Sequence, residues 1–155
     1  KLHERDYVLI ITERSAKGNY HTFGKANLEE GSAGERLYRF TYERVIGGFP
    51  PSMKQTFVFL KASTATVKER MATRGRAAEK DVPSAYLDRL GQLHDEWLNQ
   101  ESDVTTVYVD NMSKDETFHH IKSHLSITLN NYKNHEPSLT KEQKEAVSNA
   151  IAALL

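Results

Sequence analysis

An α/β fold built on a parallel sheet is the architecture this sequence predicts, and three observations carry it. Short runs of β-prone and aliphatic residues at 7–12, 56–62 and 105–109 alternate with longer stretches of helical spacing. That order implies parallel strands joined by right-handed crossovers. The first run, Tyr-Val-Leu-Ile-Ile-Thr, is too short for a membrane span and fits a strand buried on both faces of such a sheet. It ends in charged residues, Glu13-Arg14-Ser15, where open α/β sheets place their ligands.

Each element follows in order. Residues 7–12 read as the first strand. A helix is expected over 19–30, weakened by Gly24, and Glu30-Gly-Ser-Ala-Gly34 is a breaker cluster or a splice across missing residues. Residues 35–46 read as a helix with Leu37, Phe40, Tyr42 and Val45 as its apolar positions; Gly47-Gly48 stop it and Pro50-Pro51 continue as a loop. Residues 56–62 form the second buried strand, and Ser63 caps a helix to about Arg74. Another helix opens near Pro83, carries Trp97 and runs to about Ser102. The third strand is 105–109. Ser113-Lys-Asp-Glu116 is a capping box for a helix bearing Phe118, Ile121, Leu125 and Leu129. Residues 130–137 read as a polar linker, and Thr140-Lys-Glu-Gln143 caps a last helix with Val147, Ile151 and Leu154 at helical spacing.

Composition excludes several classes. With 155 residues the chain suits one domain, and its 21 basic and 21 acidic residues cancel, which argues against a nucleic-acid backbone as partner. No cysteine is present, so disulfides and thiolate metal sites are out. The seven histidines lack metal-ligand spacing: the adjacent His119 and His120 point to different helix faces. His94 is expected to pack or hydrogen-bond, and Trp97 to sit in the core.

The densest chemistry lies in Arg70-Met-Ala-Thr-Arg74-Gly75-Arg76-Ala-Ala-Glu79-Lys80, with three arginines and a carboxylate within ten positions. Guanidinium forks match phosphate oxygens two at a time, and Gly75 lets the connector fold tightly. Taken alone the arginines also fit a solvated helix face. The surroundings add specificity: Pro83, Tyr86, Leu87, Leu90, His94, Trp97 and Leu98 follow in a P-x-x-Y-L-x-x-L-x-x-x-H-x-x-W-L pattern. Residues 56–98 closely resemble the deoxynucleoside kinases, the family that includes deoxycytidine, deoxyguanosine and mitochondrial thymidine kinases and insect and viral relatives. In them R-G-R-x-x-E is a lid over the ATP phosphates, and E-R-S follows a buried strand.

That resemblance implies a P-loop-kinase-like three-layer fold and an enzyme that moves the γ-phosphate of ATP to the 5′-hydroxyl of a deoxynucleoside, in nucleotide salvage. Glu13 would hold Mg2+, directly or through water, and Arg14 would stabilise the reacting phosphoryl group and help orient the base. Arg70, Arg74 and Arg76 would clamp the phosphates, Glu79 would bind the sugar 3′-hydroxyl, and Asp110-Asn111 would lie against the adenine. Asn19 stands where the family commonly places an acidic base-reading residue, so base preference does not carry over. A homodimer through helices and a cytoplasmic or mitochondrial location are further expectations, with no membrane and no nucleic acid.

One part of the family pattern is missing. No G-x-x-x-x-G-K-[ST] occurs. The nearest imitation, Gly18 to Ala26, has five residues between its glycines and Ala26 in place of the metal-binding hydroxyl. Residues 1–132 are therefore expected to be the C-terminal two-thirds of the kinase domain, without its N-terminal strand–P-loop–helix unit and general base; the lid spans 74–82, and 133–155 form a linker and an extra helix. Alone, these residues are expected to be inactive. A non-catalytic kinase-like scaffold is the main alternative, and a nucleoside-monophosphate kinase a weaker one.

Overall fold

The computed structural model describes residues 10–49 and 53–154. They divide into two compact units, one of Thr12–Asp110 and one of Ile10, Ile11 and the residues from Asn111 onward. Of the expected first strand, 7–9 lie outside the described residues, as do Pro50 and Pro51; Ile10, Ile11 and Thr12 carry no regular structure.

The first unit opens with one helical stretch in three parts: α1 (Ala16–Asn19), a π-helical turn (Tyr20–Gly24) and α2 (Lys25–Asn27). It starts earlier than the spacing suggests because Ser15 caps it, its Oγ accepting the Gly18 N–H at 2.8 Å. Gly24 does not weaken it. This glycine lies in the π turn directly under the Tyr38 ring, where a Cβ would collide.

The breaker cluster at 30–34 proves to be a helix start. Gly31, at φ +75°, turns the chain, and Ser32 accepts the Glu35 N–H at 3.1 Å to cap α3 (Ala33–Ile46). Its inward face is aromatic: Tyr38 and Tyr42 stack on Tyr20 with ring centroids 5.9 and 4.2 Å apart. Of the four apolar positions read from the sequence, Tyr42 is half-buried while Leu37, Phe40 and Val45 are exposed. Their spacing is apolar, but the tyrosine pair claims the face that meets the π turn.

Strands β1 (Phe57–Lys61) and β2 (Val104–Tyr108) pair in parallel, with Phe57 opposite Val104 and Lys61 opposite Tyr108. Between them the chain forms α4 (Thr64–Arg74), a 3₁₀ turn (Ala77–Glu79) and α5 (Ser84–Leu98). This strand–helix–strand crossover bears out the α/β class. Pleat alternation turns Phe57, Phe59 and Lys61 toward α5. Phe57 meets Trp97 edge-on at 5.1 Å, Phe59 stacks on His94 at 4.9 Å, and Lys61 Nζ reaches Asp95 at 2.7 Å. The expectation of strands buried on both faces is corrected here. A two-stranded sheet has two edges and few neighbours, so Leu60 stays 42% exposed and Tyr108 66%. Helix α5 ends at Leu98, short of Ser102, and buries Leu93, Trp97 and Leu98.

The second unit is a helical hairpin of α6 (Lys114–His135) and α7 (Lys141–Leu154). The capping box is present: Ser113 Oγ accepts the Glu116 N–H at 3.2 Å and Glu116 accepts the Ser113 N–H at 2.8 Å. Helix α6 then runs straight through 130–135, where polar composition suggests a linker. Packing overrides composition: Leu129 and Tyr132 belong to the core with Val147 and Ile151, and Lys133 Nζ donates to Ser148 Oγ at 3.2 Å. Phe118, on the same helix, is exposed. Thr140 and Gln143 cap α7 reciprocally at 2.9 and 3.2 Å. Among the described residues no helix is long and apolar enough to cross a membrane.

Candidate active site

Two clusters in the first unit hold most of the sequence-derived site residues. At the start of α1, Ser15 serves as the cap, so its hydroxyl is engaged in folding the chain just after Glu13 and Arg14. Glu13 is exposed. Arg14 places its guanidinium 4.9 Å from the centre of the Phe23 ring, a cation–π contact that fixes the direction of a long side chain. Asn19 stands at the junction of α1 and the π turn. Turns of this kind inside helices concentrate at functional sites, because the wider ring re-aims the side chains that follow. Here it delivers Phe23 to Arg14.

This start of the site is anchored from α5 and the residues just after it. Glu101 accepts from Lys17 Nζ at 3.0 Å and from Trp97 Nε1 at 3.0 Å. His21 stacks parallel to Trp97 at 6.0 Å, and burial pushes its pKa below the usual imidazole value. His94 packs on Phe59 and contacts the Leu90 carbonyl through Nδ1 at 2.7 Å, with Phe23 edge-on to it at 6.3 Å. Trp97 is thus a core residue and the half-buried His94 packs and hydrogen-bonds, as expected. Asn27 Nδ2 donates to the Tyr86 hydroxyl at 2.9 Å, a second tie to α5.

The second cluster begins in the last turn of α4. Gly75, at φ +66°, ends the helix in the left-handed conformation. The 3₁₀ turn that follows swings Glu79 back. Arg74 donates through Nε and Nη2 to Glu79 Oε2 at 3.0 and 2.6 Å, and Arg76 Nη1 reaches Oε1 at 3.5 Å. The Arg74 guanidinium, helped by Arg76, holds the Glu79 carboxyl below the usual carboxylate range. Beside it runs a groove of about 410 Å³ whose lining includes Lys68, Met71, Arg76, Glu79, Lys80 and Val82. Lys68, Arg76 and Lys80 outnumber the Glu79 carboxylate on this groove, a balance that suits an anion.

Arg70 is not brought together with Arg74 and Arg76: it donates through Nη2 to the Val109 carbonyl at the end of β2. Asp110 next to it accepts the Ser63 N–H at 2.8 Å and the Thr66 hydroxyl at 2.7 Å. The Ser63 and Thr66 hydroxyls and the Ser63 N–H pull its pKa down to about 2. Asp110 therefore pins the end of β2 to the first turn of α4. Asn111 follows Asp110 in the turn after β2 and is the first residue past the first unit. Among the described residues no group of three or more His, Asp or Glu side chains is placed to hold a metal. Glu13 as a lone carboxylate still fits Mg2+, which takes one or two carboxylates and fills its remaining positions with water and substrate phosphates.

Sequence reasoning missed Phe23, Lys17 and Glu101. Phe23 follows Arg14 by nine positions, a spacing that becomes a contact only through the π turn. Lys17 and Glu101 are 84 positions apart and carry no local signal.

A family model described as deoxynucleoside kinase matches residues 4–135. A curated relative, deoxycytidine kinase 2 of Gallus gallus, is 24% identical over 106 residues, which cover 66% of this chain and 40% of that protein. The chain thus spans about two-fifths of that relative's length. No solved structure matches. Both Glu13-Arg14-Ser15 and the R-G-R-x-x-E connector lie inside the matched residues, and on that match the chain belongs to the deoxynucleoside kinase family.

Proposed function

We propose that the complete protein transfers the γ-phosphate of ATP to the 5′-hydroxyl of a deoxynucleoside, in nucleotide salvage. The observation that carries this reading is the convergence of Arg74 and Arg76 on one carboxylate inside a family match that spans 4–135. Phosphoryl transfer asks for positioning and charge neutralisation more than covalent chemistry. Arg74 and Arg76 clamp the phosphates, and Arg70, held on the Val109 carbonyl, joins them only if it leaves that contact. Arg14 faces the reacting phosphoryl group and orients the base, with Phe23 setting its direction and Asn19 on the base side. Glu79 accepts from the sugar 3′-hydroxyl. Glu13 holds Mg2+, directly or through water. Bound Mg2+ would neutralise phosphate charge. Asp110 and Asn111 border the adenine of ATP.

The protein acts in the cytoplasm or mitochondrion, as a homodimer through helices; the exposed Leu37, Phe40 and Val45 of α3 support a helical contact. Deoxycytidine, named for the chicken relative, is the first acceptor to try. The test is Arg74→Ala and Arg76→Ala in the complete protein. Turnover is expected to fall by about 10²–10³-fold, the loss typical of one transition-state donor, with the thermal midpoint unchanged. Normal kinetics in both variants would refute the phosphate-clamping assignment.

A further inference from the structure

Each residue of the lid triad has a partner within the triad. Arg74 spends two donors on Glu79 Oε2, and Arg76 takes Oε1. The local sequence enforces this. Only a glycine adopts the +66° φ of Gly75 without strain, and the 3₁₀ turn then returns Glu79 onto the end of α4. A carboxylate and a phosphate offer a guanidinium the same pair of oxygens. Both cannot use the same donors at once.

We infer that the Arg74–Glu79–Arg76 contact is a latch: Glu79 stands in for a phosphate group on the lid arginines, and an incoming phosphate must displace it before the lid clamps. The inference rests on the proposed function for the identity of the ligand. Exposure makes displacement feasible. Arg74 and Arg76 side chains are 47% and 66% exposed, so the pair is weak and salt-screened, and a more highly charged phosphate outcompetes it. Displacement also frees Glu79 to accept a sugar hydroxyl. Phosphate donor and nucleoside therefore strengthen each other's binding, by the same factor in both directions.

The test is calorimetric titration of inorganic tripolyphosphate, without nucleoside, into the complete wild-type protein and its Glu79→Gln and Asp81→Asn variants. Asp81→Asn removes the same charge two residues away. Glu79→Gln is expected to tighten tripolyphosphate by about two- to five-fold, the equivalent of one exposed ion pair, and Asp81→Asn to change it much less. The gain should shrink at high salt. Glu79→Ala is the second variant, with the same expectation, in case the amide makes new bonds to Arg74. Equal affinities in wild type and both Glu79 variants, or equal gains in Glu79→Gln and Asp81→Asn, overturn the latch. If phosphotransfer to deoxynucleosides persists, that result leaves the kinase reading intact. Absence of tripolyphosphate binding in all proteins overturns both.

Discussion

Glu101→Ala isolates the contact that anchors the Arg14 segment. In the wild type its carboxylate takes the Lys17 ammonium at 3.0 Å and the Trp97 indole N–H at 3.0 Å. The Lys17 and Glu101 side chains are 27% and 20% exposed, so the ion pair sits at the upper end of the surface range, about 0.5–1 kcal/mol. The indole N–H belongs to a side chain only 7% exposed. Left without its acceptor it costs about 1–2 kcal/mol. The sum is about 2 kcal/mol, or a fall in thermal midpoint of about 4–8 °C for a chain of this size. Glu101→Gln keeps an oxygen for the indole and should lose about half as much. Trp97 is the sole tryptophan, so its fluorescence reports the contact and the unfolding together. Urea denaturation of wild type, Glu101→Ala, Lys17→Met and the double variant completes the cycle. A Glu101→Ala loss within about 0.5 kcal/mol, the usual effect of an unimportant surface change, would refute the anchoring role.

Two further outcomes are expected. Gly24→Ala should destabilise the protein by about 1–3 kcal/mol, read by thermal denaturation, because the new methyl enters the space of the Tyr38 ring that stacks on Tyr20; no change in midpoint would contradict the packing. Asp110 has a folded pKa of about 2, below its unfolded value. Its contribution is full above about pH 4 and is lost as pH falls toward 2. Urea midpoints measured across that window should therefore fall less steeply in Asp110→Asn than in wild type.

The legible and the hidden parts of the fold differ in the range of the forces behind them. Caps are local: Ser63, Ser113 with Glu116, and Thr140 with Gln143 each act within four residues, and each helix they announce is present. The parallel pairing of β1 with β2 follows from the strand–helix–strand order and is also present. Tertiary packing decided the rest. Tyr132 and Lys133 extend α6 past its polar stretch by packing and bonding to α7. Tyr38, which the spacing does not single out, joins Tyr42 on the inner face of α3, while Leu37 and Phe40 are exposed. In the candidate site, Arg74, Arg76 and Glu79 were visible because one tight turn holds them. The Arg14–Phe23 contact was not, since it depends on a π turn that no propensity signals.

The most direct test is product identification: the complete protein is incubated with γ-labelled ATP, Mg2+ and each natural deoxynucleoside, and the labelled product is separated and its phosphorylated position assigned by 31P and 1H NMR. The account predicts a deoxynucleoside 5′-monophosphate from at least one acceptor, deoxycytidine first among them. ATP-dependent label on no deoxynucleoside, or on a nucleoside monophosphate only, would contradict it.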